Sequence, residues 1–130
     1  MLMKLLIIFV GGGLGSCLRY LVSLGVQRFA GDGFPLGTLA VNTIGCFAIG
    51  VAAHAMRGDV EVRSDAHWFL VIGLLGGFTT FSTFANETLH LGRDGAIAHA
   101  LLNVLLSNAL GLLAAWCGLM LAGRVFSQPA

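Results

Sequence analysis

Four apolar stretches, each long enough to cross a bilayer, take up most of this 130-residue sequence. They run over about 5–27, 36–56, 68–91 and 96–122. A spanning helix needs roughly 20 predominantly apolar residues. Lipid offers the backbone no hydrogen-bond partners, so helices that satisfy their own amides are expected. The connections, at 28–35, 57–67 and 92–95, are short and hold most of the charges. Only 10% of the residues are charged and 57% are hydrophobic. A soluble domain carries about 25% charge, so the chain has too little polar surface to cover itself in water. The expectation is one all-α transmembrane domain over 1–130. The net charge of +1 gives no field for gathering nucleic acid.

Lys4 followed by an apolar run resembles the start of a signal peptide, and Leu14-Gly15-Ser16-Cys17 loosely resembles a lipid-attachment site. The apolar pattern resumes beyond Arg19, which predicts an uncleaved first helix. Cys17, Cys46 and Cys117 fall inside apolar spans without metal-ligand spacing and read as buried small side chains. Trp68 sits at a predicted boundary, where an indole suits the interface.

Basic residues are shared between the two sides. Lys4, Arg57, Arg63 and Arg124 fall on one side, and Arg28, Arg93 and the intrahelical Arg19 on the other. So small a contrast permits insertion in both orientations. Four short helices also make a thin wall around any path. An antiparallel homodimer in the lipid bilayer fits both facts.

The polar residues placed where lipid should be carry the functional signal, since such residues face a protein interior or a water-filled path. In the first helix, Gly11, Gly15 and Arg19 are four apart and share a face. The glycines suit close helix packing. Arg19 can snorkel, bind an anion or hold a partner helix. Asn42 lies about one turn inside the second helix. Its amide can bond a neighbouring helix or offer an N–H to a passing anion.

The third helix holds the densest run, Gly73 through Gly76-Gly77-Phe78-Thr79-Thr80-Phe81-Ser82-Thr83-Phe84. Paired glycines followed by paired threonines are poor helix material. A break there frees backbone carbonyls, which must find protein, water or an ion such as Na⁺. Phe81 and Phe84 are three apart, and aromatic edges carry partial positive charge. They can line an anion path or simply pack. Glu87 lies four beyond Thr83 and either caps a polar track or sits at the interface. In the fourth helix Asn103, Ser107 and Gly111 form one stripe, with Asn108 off it. That stripe either hydrogen-bonds another helix or walls the same path.

No carboxylate lies in the first, second or fourth helix. A proton or cationic-drug exchanger needs a titratable acid at mid-membrane. His54, His67, His90 and His99 are scattered near helix ends, with no acid–base dyad, so no enzyme activity is expected. The residues read as a compact channel or transporter subunit.

These motifs resemble the Fluc (CrcB) fluoride channel family. The matching stretches are Gly11-Gly12-Gly13-Leu14-Gly15 with Arg19-Tyr20, Gly37-Thr38-Leu39-Ala40-Val41-Asn42 with Gly45, and Gly73 to Phe84 followed by Glu87. The last is long and unusual, and the likeness covers essentially the whole chain. The resemblance implies an antiparallel, dual-topology homodimer with two fluoride pathways near the subunit interface. It also implies a third helix broken at mid-membrane. It implies a structural Na⁺ on the dimer axis, held here by the carbonyls of Gly76 and Thr79. The pathway residues it implies are Asn42, Phe81 and Phe84, with Ser82 and Thr83 extending a polar track toward Glu87 and Ser107 facing it. Tyrosine is expected to be common where this chain has Asn103, so the outer lining of the pore is expected to differ. The implied role is passive fluoride export across the bacterial cytoplasmic (inner) membrane. The alternatives are a small multidrug-resistance-type transporter, which calls for an acid in the first helix, and a non-transporting membrane subunit.

Overall fold

The computed structural model describes residues 1–31, 33–56 and 64–126. Arg57 and Arg63, part of the charge comparison above, lie outside the described residues. Among the described residues the secondary structure is all helical. It comprises α1 (Leu2–Ala30), α2 (Leu36–Ala55), α3 (Asp65–His67), a π-helical stretch (Trp68–Leu75), α4 (Gly76–Phe78), α5 (Phe81–Arg93) and α6 (Ile97–Phe126). Together these give 4 spans long and apolar enough to cross a membrane: α1, α2, the composite Asp65–Arg93, and α6. The chain is a multi-pass membrane protein. Helices α1 and α6 extend three or four residues beyond the stretches expected at their outer ends.

Local chemistry explains the ends. Helix α1 stops at Gly31, whose φ of 74° suits glycine, and whose N–H closes on the Gln27 carbonyl at 3.0 Å. The Gln27 side chain then ties the connection together. Its Nε2 donates to the carbonyls of Gly31 and of Phe34, the latter at 3.0 Å, and its Oε1 accepts from Gly37 N–H at 3.1 Å. At the other tight turn, Gly95 has φ 80° and Ala96 N–H reaches back to the Leu91 carbonyl at 2.9 Å. Ser64 caps the third span by accepting from His67 N–H at 3.2 Å. Trp68 sits beneath Lys4, whose Nζ lies 5.3 Å from the ring centroid, a cation–π contact.

Between lipid-soluble helices there is little hydrophobic drive to associate, so close van der Waals approach matters most. Glycine provides it here. A Cβ on Gly11 would stand 2.6 Å from the Phe69 carbonyl, and one on Gly15 would strike the Leu74 carbonyl. These two residues bring α1 onto the π-helical stretch. The α2–α6 contact is built the same way. Gly50 lies against the Ala115 carbonyl, and Gly118 against the Phe47 carbonyl. Val41 and Ala122 are fully or almost fully buried, whereas Phe9, Leu105 and Leu112 face outward. An apolar exterior around a small-residue interior is the pattern lipid selects.

The third span departs from a simple helix twice. The break falls at Thr79 and Thr80, both in extended conformation with ψ of 156° and 112°. This lies inside the run of paired glycines and paired threonines expected to be poor helix material: Gly76 and Gly77 remain helical, and the threonines carry the break. The π-helical stretch over Trp68–Leu75 had no sequence signal. It lies where Gly11 and Gly15 press against the backbone, and such wide turns gather at functional sites.

Candidate functional site

The site is organised around the break. Thr80 is 8% exposed, and in lipid its backbone groups need partners. Asn42 supplies both. Its Oδ1 accepts from Thr80 N–H at 2.8 Å, and its Nδ2 donates to the Thr80 carbonyl at 3.0 Å. The side chain amide thus replaces a strand neighbour for one residue. Thr80 in turn caps α5, its Oγ1 accepting from Thr83 N–H at 3.2 Å and donating to Thr83 Oγ1 at 2.9 Å. Capping satisfies one of the amides that every helix start leaves open.

Two cavities meet at this point. The first, about 380 Å³, is lined by Asn42, Gly45, Cys46, Ile49, Val71, Leu75, Gly76, Thr79, Thr80, Phe81, Phe84, Ser107 and Asn108. The second, about 250 Å³, is lined by Ser16, Arg19, Tyr20, Ser23, Thr38, Val41, Thr80 and Thr83. Thr80 lines both, so the break is the partition between them. Of the residues lining these cavities, Arg19 brings a fixed positive charge, and it faces the second. The first offers amides, hydroxyls and aromatic rings instead.

Phe81 and Phe84 both line the first cavity, with ring centroids 5.4 Å apart and planes at 53°. The tilt turns ring edges, rather than two flat faces, toward one another's surroundings. Their exposures differ sharply: Phe84 is 8% exposed and Phe81 80%. Ser107 faces them from α6.

The remaining expected residues separate from this group. Thr83 lines the second cavity, and Ser82 lines neither, with its Oγ 3.4 Å from Thr80 Oγ1. Glu87 accepts a hydrogen bond from Thr38 Oγ1 at 2.7 Å, while its Oε2 is buried without a partner. Gly11 and Gly15 lie in the α1 contact described above. Asn103, expected in the outer lining, lines neither cavity. It is 1% exposed and donates through Nδ2 to Thr88 Oγ1 at 2.9 Å.

Four contributors, Thr38, Ser16, Ser23 and Asn108, were given no site role from sequence. Thr38 is the partner of Glu87, and its spacing of four from Asn42 puts both on one face of α2. Ser16 and Ser23 flank Arg19 at helical spacing, a polar stripe legible once α1 is a helix. Asn108, off the α6 stripe, nonetheless reaches the first cavity.

Fold and site together define a four-span helical membrane protein whose third span is interrupted between two open cavities. Residues 6–119 match the family described as CrcB-like protein, Camphor Resistance (CrcB), and the chain belongs to that family. A protein of Geobacter sulfurreducens named fluoride-specific ion channel FluC is 48% identical over 121 residues, covering 93% of this chain and 98% of that one. Proteins of the same name from Solibacter usitatus and Phocaeicola vulgatus are 44% and 42% identical. They cover 94% and 92% of this chain and 100% and 98% of their own length.

Proposed function

We propose that this chain is a fluoride-selective channel that lets fluoride leave the cytoplasm passively across the bacterial cytoplasmic membrane. The observation that carries the reading is the broken span, where Thr80, held by Asn42, lines both a mainly apolar cavity that carries amides, hydroxyls and aromatic rings and a second cavity that carries Arg19. Family membership and the relatives' printed names support the choice of ion.

The chemistry suits fluoride. The ion is small and strongly hydrated, so a path must replace its water with many weak donors. Asn42 has two amide hydrogens, of which Thr80 takes one. The other is free for an anion, as are the Ser107 hydroxyl and the edges of Phe81 and Phe84. Arg19 attracts anions into the second cavity without standing at the partition. A fixed cation at the narrowest point would hold the ion too tightly to let it leave. The proposed track continues through Ser82 and Thr83 toward Glu87.

The proposed unit is an antiparallel, dual-topology homodimer. Phe81 is 80% exposed beside a cavity lined by Asn42, Thr79, Ser107 and Asn108. Lipid tails cannot satisfy such a wall, whereas a second chain can. A structural Na⁺ on the dimer axis belongs to the same reading. The residues fit it: the break interrupts the helical ladder at Gly76 and Thr79, both on the first cavity. Oxygen ligands of this kind suit a hard cation, which would fix the two chains together by neutralising carbonyl dipoles.

Hydrogen fluoride crosses membranes as a neutral acid and dissociates inside, so a passive anion path lowers internal fluoride. The test in cells is growth of a fluoride-sensitive bacterium expressing this chain over graded fluoride. Restored growth is expected. Growth no better than with an empty vector, from cells that carry the protein in the membrane, contradicts the reading.

A further inference from the structure

Carbonyls exposed at a helix break are usually claimed by the nearest amides, so the destinations of those amides decide what the break can bind. In an uninterrupted α-helix the Gly76 carbonyl receives Thr80 N–H, and the Thr79 carbonyl receives Thr83 N–H. Here both amides are diverted onto side chains. Thr80 N–H goes to Asn42 Oδ1 at 2.8 Å, and Thr83 N–H goes to Thr80 Oγ1 at 3.2 Å. The next carbonyl, that of Thr80, is taken by Asn42 Nδ2 at 3.0 Å. The Thr79 hydroxyl is turned away as well, donating to the Leu75 carbonyl at 3.0 Å. Two carbonyls on the first cavity, those of Gly76 and Thr79, thereby lose their helical donors at a depth where lipid supplies none.

Resting on the sodium reading above, we infer that Asn42 and Thr80 are the positioning residues of the cation site. They touch no cation themselves. By capturing the two amides they keep the carbonyls of Gly76 and Thr79 open to one. Asn42 then has two uses. Its Nδ2 faces the anion route and its Oδ1 holds open the cation site, so changes at this residue affect both ions.

The test measures the sodium site without using flux. Thermal unfolding of the purified protein is compared in sodium chloride and in the chloride of a large organic cation. The wild type unfolds at a higher temperature in sodium. Thr80→Val removes the capping hydroxyl and keeps the branched side chain, and it loses that sodium-dependent shift. Thr80→Ser keeps the hydroxyl and retains it. Asn42→Leu loses the shift, and where that variant does not fold, the Thr80 pair decides the matter alone. A shift that persists in full in Thr80→Val overturns the inference and leaves the sodium reading standing. A wild type with no shift overturns the sodium reading, and the inference with it.

Discussion

Asn103 on α6 donates its side-chain amide to Thr88 Oγ1 on α5 at 2.9 Å, and Thr88 Oγ1 donates onward to the Phe84 carbonyl at 2.8 Å. Asn103 is the most deeply buried polar side chain among the described residues. Ser107 Oγ is 3.5 Å from its Oδ1, at the limit of a hydrogen bond. The Ser107 hydroxyl is therefore only weakly held and can serve the cavity it lines.

This relationship sets the first prediction. Interhelical hydrogen bonds in membranes contribute about 0.6 kcal/mol on average. Asn103→Leu is similar in size and leaves Thr88 Oγ1 with its bond to Phe84, so the fold is expected to survive with a stability change of that order. Fluoride flux is expected to fall, because α5 loses its side-chain tie to α6. Unfolding and flux measured on the same preparation check this. Unchanged flux means that the tie does not set the pathway.

Phe81→Ile and Phe84→Ile each remove an aromatic edge while keeping an apolar side chain of comparable bulk. Either substitution is expected to abolish or sharply lower fluoride flux, with the oligomer intact by size-exclusion chromatography. Wild-type flux in both variants removes the rings from the pathway.

Gly15 and Gly13 form a matched control within one helix. A Cβ at Gly15 would strike the Leu74 carbonyl, whereas one at Gly13 meets nothing within 4 Å. Backbone cannot yield as a side-chain tip can, so Gly15→Ala is expected to cost about 1–3 kcal/mol by overpacking. Gly13→Ala is expected to be neutral, or to stabilise by up to about 1 kcal/mol through helix propensity. Thermal unfolding of the two variants checks the difference.

A chain that inserts both ways exposes each loop on both sides of the membrane. A cysteine introduced at Gly33, on the α1–α2 connection, is expected to react with impermeant reagent from either face of sealed vesicles. Labelling from one face only means a single orientation, and with it the loss of the antiparallel dimer.

The four spans were legible because lipid imposes a length and a polarity that few sequences imitate. The glycine contacts were legible in kind, since Gly11 and Gly15 share a helical face, but their partners Phe69 and Leu74 were not. That pairing depends on which helix lies opposite. Propensity pointed to the paired glycines and the paired threonines together as the weak point of the third span. Within that run the break falls at Thr79 and Thr80, and Asn42, on another helix, bonds both backbone groups of Thr80, which spacing alone does not reveal. Neither the Thr38–Glu87 bond nor the Asn103–Thr88 tie could be read from spacing, because each joins side chains on different helices. The π-helical stretch had no local signature at all.

The most direct test is efflux from liposomes containing the purified protein, followed with a fluoride electrode and a chloride electrode side by side. No proton or sodium gradient is imposed across the membrane. Fast fluoride loss with little chloride loss is the expected result and defines a selective passive channel. No fluoride loss from well-folded protein contradicts the proposed function, and equal loss of both ions contradicts its selectivity.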